Sequence, residues 1–161
     1  MIKTDYRGGK KMASLYKIRK YGDSILRKRC KVIRNIGAKE EEILERMSET
    51  MYASQGIGLA APQVGIGKQI IVVDVGEGLL KLINPLILLK EGESILEEGC
   101  LSLPGVALKV KRAKSIVIEG WNEKREKVKI EAEGLFAHAI QHEVDHLQGI
   151  LIIDYANSQE T

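Results

Sequence analysis

The sequence predicts an α+β fold: mostly antiparallel short strands packed around a central C-terminal helix. A series of short runs rich in branched residues fills the middle of the chain, split by Gly, Pro or charged turns. Two stretches with helical spacing frame those runs. The chain has 161 residues, 44% of them hydrophobic, enough to bury one core, so a single domain over 12–161 is expected. Aromatic residues make up only 4%, which leaves Ile, Leu and Val to fill that core.

Taken in order, residues 1–11 are polar and read as an N-terminal extension with no order of its own, Met12 being a candidate natural start. They lack the apolar stretch of a signal peptide. Asp23 or Ser24 can cap a short helix through 25–29. A longer helix is expected over 39–53, where Ile43, Leu44, Met47 and Met51 recur at helical spacing and Glu40, Glu41 and Glu42 sit near the positive end of the dipole. The small residues of 56–65 suit tight bends or close approach. No Lys-Ser/Thr ending follows them, so they are not a phosphate loop.

Strands are expected over 69–75, 80–84, 86–90, 94–97, 106–111, 115–121 and 126–133. In the last, Val128, Ile130 and Ala132 alternate with Lys127, Lys129 and Glu131, so one face should be wet. A final helix is expected over 135–148, with Gly149 as its left-handed cap and a strand-like 150–153 after it.

Net charge is +3, well below what a dedicated nucleic-acid binder carries. The cluster Lys17, Arg19, Lys20, Arg27, Lys28, Arg29, Lys31 and Arg34 reads first as a solvated face, with weak affinity for RNA-rich surroundings as the other reading. Cys30 and Cys100 are the only cysteines, and no apolar run approaches the length of a bilayer span. A reduced, cytoplasmic protein is the expectation.

His142-Glu143-Val144-Asp145-His146 carries the strongest chemical signal. Residues four apart on a helix share a face, so both imidazoles can reach one metal ion. Glu143, beside that face, can take a proton from a water on the metal, as in H-E-x-x-H hydrolases. His138 extends the stripe, but each four-residue step climbs about 6 Å and metal–nitrogen bonds are about 2 Å. One ion cannot serve all three, so His138 is either a neighbour of the site or a packed side chain.

A third ligand is needed. The position that is His in one peptidase class is Ile152 here, and the only Glu downstream is Glu160. Cys100, in Glu98-Gly99-Cys100-Leu101-Ser102, is the best upstream candidate, because Gly99 can free the backbone to turn the thiolate toward the helix. Cys30 lies in a basic run without such a turn.

Three segments in the right order resemble the motifs of peptide deformylases: Gly56-Ile57-Gly58-Leu59-Ala60-Ala61-Pro62-Gln63, Glu98-Gly99-Cys100-Leu101-Ser102 and Gln141-His142-Glu143-Val144-Asp145-His146. The resemblance implies an enzyme that hydrolyses the N-formyl group from formyl-Met at the start of new polypeptides and releases formate. It implies one divalent metal on Cys100, His142 and His146, natively Fe(II), with Zn, Ni or Co as substitutes.

It further implies proton shuttling by Glu143, oxyanion stabilisation by the Gln63 amide and the Leu101 N–H, and substrate contacts at Ile57, Gly58, Leu135 and Ala139. His138 departs from the family, where an apolar or arginine side chain is usual. The chain also ends a few residues after Asp154-Tyr155, short of the C-terminal helix of many members, which weakens any carry-over of ribosome docking. The partners implied are N-formyl-methionyl nascent chains and transient proximity to the ribosome, with no membrane and no specific nucleic acid. A general zinc peptidase and an RNA-associated module with a structural metal are the rival readings.

Overall fold

The structure is a computed structural model. It describes residues 14–159, together with β1 (Tyr6–Arg7) and β2 (Lys10–Lys11), which pair antiparallel. The rest of the expected extension lies outside the described residues.

Asp23 caps a 3-10 turn over Ser24–Arg27, its carboxylate accepting the Ile25 N–H at 3.1 Å. Helix α1 (Ala38–Ala53) follows. It starts where Glu40 reaches back to accept the Gly37 N–H at 2.9 Å, and stops where Gln55 turns left-handed at φ 60°. Ile43, Leu44, Met47 and Met51 form its buried stripe, as their spacing requires.

The glycine-rich segment, expected to bend tightly or make a close approach, also contributes a strand. β3 (Gly58–Ala60) pairs antiparallel with β4 (Ile70–Val73), placing Gly58 opposite Val73. A 3-10 turn over Ala61–Val64 joins them, with Gly65 left-handed at its end. The expected break at Pro85 does not end a strand: β5 runs from Leu80 to Glu91. The ladder shifts register between Ile83 and Leu86 instead, which is where a proline without an N–H is tolerated. Beside it Asn84 turns to φ 53°, and its side chain both donates to the Ile33 carbonyl and accepts the Ile33 N–H, each at 2.8 Å.

β6 (Ser94–Cys100) and β7 (Leu103–Arg112) form a separate two-stranded antiparallel hairpin. β8 (Ser115–Trp121) and β9 (Lys127–Glu133) complete a five-stranded antiparallel sheet in the order β3-β4-β5-β8-β9. Helix α2 (Gly134–Leu147) follows, with Gly149 left-handed just past it.

Packing explains why α2 is central. The strand β4 is buried on both faces. Ile71 and Val73 face α2 with Leu82, Ile116, Ile118 and Ile140, while Ile70 and Val72 face α1 with Leu44 and Met47. Each such fully buried Ile or Leu contributes about 2 kcal/mol.

A further expectation is corrected. Residues 150–153 are not a strand: a 3-10 helix covers Ile152–Gln159. Leu151 and Ile152 are buried with Leu26 and Val110, so their apolar side chains fill the space under the β6–β7 hairpin and need no strand partner. Asp154 accepts the Leu151 N–H at 3.0 Å and is gripped by both Arg27 nitrogens at 2.7 and 3.0 Å.

Candidate metal centre

α2 turns His138, His142 and His146 toward the end of β6, and all three are buried. Cys100 meets them from the last residue of β6. There the hairpin slips register, from Gly99 opposite Ala107 to Cys100 opposite Leu103, and such a bulge re-aims a side chain. Gly99 itself is not left-handed, and a Cβ on it would meet only the Val106 carbonyl at 3.7 Å. The turn expected from the glycine therefore comes from the bulge.

Cys100 Sγ lies 3.4 Å from His146 Nε2, which lies 3.2 Å from His142 Nε2. Ligand atoms bound tetrahedrally at metal–nitrogen and metal–sulfur bond lengths sit about 3.3–3.6 Å apart, so the three donors fit one divalent ion. Burial, reinforced by the charges of His142 and Arg112, holds the His146 pKa well below the usual imidazole range, which keeps a lone pair for bonding. Among the described residues these three form the metal-capable group. Cys30, a free and buried thiol whose N–H donates to the Leu147 carbonyl at 2.9 Å, stands outside it. So does His138, which leaves three protein donors among the described residues, the number used by catalytic sites that keep one position for water or substrate.

Glu98 organises the group, a role not evident in the sequence. Its Oε1 accepts His142 Nδ1 at 2.9 Å and Arg112 Nη2 at 2.9 Å; its Oε2 accepts Arg112 Nε at 2.7 Å and His138 Nδ1 at 3.0 Å. Burial opposes its charge, yet the His142 hydrogen bond and the Arg112 guanidinium outweigh burial and hold the carboxyl down to about 2. Burial opposes a charge on His142, yet the charge of Glu143, with hydrogen bonds to Cys100 and Glu98, outweighs burial and holds its pKa up to about 10, so the metal-free ring is a cation that donates from Nδ1 to Glu98. Its Nε2 faces His146 and Cys100, and a metal ion taking the place of the Nε2 proton would leave Nδ1–H on Glu98, the outer-shell arrangement common around metal-bound imidazoles. Arg112 also donates to Asp145 at 2.8 Å, where the Tyr155 hydroxyl donates at 2.5 Å. The only local signal for Glu98 was its place two residues before Cys100.

Glu143 Oε1 is buried with no hydrogen-bond partner. Burial pushes its carboxyl up to about 7 against the pull of His142 and Arg112. Gly58 makes this seat: a Cβ on it would overlap Glu143 Oε2 and lie 2.9 Å from Cδ. Gln63 is also buried, its Oε1 accepting the Ala60 N–H at 2.9 Å. Its Nε2 is thereby turned toward Ser102 Oγ at 3.1 Å and Cys100 Sγ at 3.6 Å.

The residues expected at the site come together around one cleft. Gly58, Gln63, Cys100, Leu101, His138, His142 and Glu143 line it, and Ile57, Leu135 and Ala139 add apolar surface. His146 lies behind them, buried. The backbone of the N-terminal segment ties two walls together: Arg19 N–H donates to the Gln63 carbonyl at 2.7 Å and Tyr21 N–H to the Ser102 carbonyl at 2.8 Å. The eight basic side chains around it are exposed, with Lys20 reaching the Leu101 carbonyl at 3.2 Å.

A thiolate and two imidazoles, beside a buried carboxylate able to carry a proton, suit hydrolysis at a single metal. The class is a mononuclear metallohydrolase. Comparison with known proteins makes the assignment specific, since a profile described as polypeptide deformylase matches residues 15–161. The peptide deformylase of Halothermothrix orenii is 53% identical over 139 residues, 85% of this chain and 90% of that one. That of Carboxydothermus hydrogenoformans is 50% identical over 145 residues, 90% of this chain and 95% of that one. The crystal structure of the peptide deformylase from Thermotoga maritima superposes with a TM-score of 0.86 at 45% identity, covering 88% of this chain and 97% of that one.

The chain belongs to the polypeptide deformylase family. Its reaction is that of the family, metal-dependent removal of the N-formyl group from formyl-methionyl peptides.

Proposed function

We propose that Cys100, His142 and His146 hold a divalent ion that is ferrous in the native enzyme, and that Glu143 moves the protons of formyl hydrolysis. The observation that carries this reading is the triangle of Sγ and two Nε2 atoms with the unpartnered Glu143 carboxylate beside it. When bound, the ion supplies Lewis acidity toward the formyl carbonyl and makes water a nucleophile near neutral pH. A thiolate among the ligands suits iron.

Glu143 takes a proton from the attacking water and delivers it to the departing amine nitrogen. A carboxyl whose pKa is raised toward neutrality by burial serves both directions, although a bound cation opposes that rise. The Gln63 amide, fixed by Ala60 with its donors toward Cys100, and the Leu101 N–H stabilise the developing oxyanion. Backbone at Gly58 positions the formyl end of the substrate. Ile57, Leu135 and Ala139 receive the methionine side chain, which their apolar surfaces on the cleft support.

The enzyme works in the cytoplasm on nascent chains, transiently close to the ribosome. No helix among the described residues is long and apolar enough to cross a membrane.

Metal identity is tested by stripping the protein and reloading it anaerobically with iron, nickel, cobalt or zinc. Formate release is then followed before and after exposure to air. The iron form should start active and decay in air as the metal and the Cys100 thiolate oxidise, while the nickel and cobalt forms persist. An iron form stable in air with Cys100 unmodified would contradict the ferrous assignment.

A further inference from the structure

We propose that His138 is a positioning residue of the metal centre: it holds the Glu98 carboxylate against α2, and Glu98 in turn fixes the ring of His142. The inference rests on the metal-centre reading above. His138 is 1% exposed, and its Nδ1 sits 3.0 Å from Glu98 Oε2. Its other nitrogen, Nε2, is buried with no partner. Burying an imidazole with one nitrogen unsatisfied is an unfavourable way to fill space that an apolar side chain would fill without that penalty. The bond to Glu98 is therefore what the imidazole contributes at this position.

The geometry says what that bond does. Arg112 grips both Glu98 oxygens, at 2.7 and 2.9 Å, and Arg112 lies on β7, in the same hairpin as Glu98. Arg112 also donates to Asp145 at 2.8 Å, so it holds Glu98 within the hairpin and ties the hairpin to the last turns of α2. The two imidazoles tie the Glu98 carboxylate itself to the helix. His142 takes Oε1 and His138 takes Oε2, from positions one turn apart and about 6 Å along the axis. With both imidazoles each oxygen carries one bond from Arg112 and one from α2; without His138, Oε2 keeps only its Arg112 bond and loses its direct tie to the helix. That tie matters because the same carboxylate orients His142, whose Nε2 must face His146 and Cys100 for the three donors to converge.

Removing the bond loosens His142 without removing any ligand. Loss of a partner in direct contact with a metal ligand lowers metal affinity by about 10- to 100-fold. His138 acts one step further out, so about tenfold is expected.

The test compares wild-type protein with His138→Asn, which keeps a donor near the place of Nδ1, and His138→Leu, which fills the space without one. Cobalt affinity is measured by chelator competition, and the hydrogen-bonded Nδ1–H proton of His142 is followed by NMR. His138→Asn should stay within about twofold of wild type and keep the proton resonance. His138→Leu should bind cobalt about tenfold more weakly and broaden or lose that resonance. His138→Met serves as the donor-free variant if the leucine variant does not fold.

Equal cobalt affinity in wild type and the donor-free variant would overturn the positioning role, as would a His138→Asn protein as weak as His138→Leu. Wild-type protein that binds no cobalt would instead overturn the metal centre itself, so the two failures are separable.

Discussion

Gly58 and Glu143 come from opposite ends of the functional sequence, yet a single added methyl group on Gly58 would occupy the space of the Glu143 carboxylate. The strand β3 is thus one wall of the seat that holds the proton carrier. Gly58→Ala should displace that carboxylate while leaving Cys100, His142 and His146 untouched. Since a misplacement of about 1 Å can lower turnover by about 100-fold, kcat/KM for a formyl-Met peptide should fall by about that factor with metal content unchanged. A variant with near-normal kcat/KM would show that Glu143 need not sit there.

Glu143→Ala removes the carrier itself. Metal should bind almost normally, because the carboxylate lies outside the triangle of donors, while hydrolysis drops by about 100- to 10,000-fold. Retention of a tenth of wild-type turnover in the purified variant would remove Glu143 from the proton path.

The two cysteines should behave differently. Burial pushes the Cys30 thiol up to about 11, so iodoacetamide at pH 8 should leave it unmodified in the folded protein and alkylate Cys100 in the metal-free form. Metal content should follow the same division, lost in Cys100→Ala and kept in Cys30→Ala. Mass spectrometry of the alkylated peptides and metal analysis of both variants check the assignment; equal metal content in the two would refute it.

The Tyr155 hydroxyl gives a stability signature at high pH. Burial, with the hydrogen bond and charge of Asp145 added, raises its pKa from 10.0 to about 12. A raised folded-state value means that the stabilisation is complete below the unfolded value and is lost as pH rises through the folded one. Unfolding free energy should therefore fall between about pH 10 and 12, and Tyr155→Phe should flatten that part of the profile. An unchanged profile in the variant would assign the loss to other groups.

How much of this was readable beforehand depended on the range of the interactions involved. The pairing of His142 with His146 follows from helical periodicity alone, and the Ile43, Leu44, Met47 and Met51 stripe likewise. Cys100 was reachable by elimination. The Glu98, Arg112 and His138 cluster was not, because it exists only once β6 pairs with β7 and the hairpin meets α2. Spacing along the chain carries no trace of that meeting. Pro85 misled in the other direction: its missing N–H suggested a strand end, whereas a register shift absorbs it. The branched run near Ile152 suggested a strand, yet burial against Leu26 and Val110 was available to a 3-10 helix. His138 looked equally like packing or site, and its hydrogen bond to Glu98 supplies what the sequence lacked.

Formate release from a formyl-Met tripeptide, with metal content determined on the same sample, tests the central claim most directly. One divalent ion per chain should accompany formate release, activity should vanish when a chelator strips the ion and return on reloading, and the unformylated peptide should remain uncut. Protein carrying a full equivalent of iron, nickel or cobalt that releases no formate, or that cleaves the unformylated peptide, would contradict it.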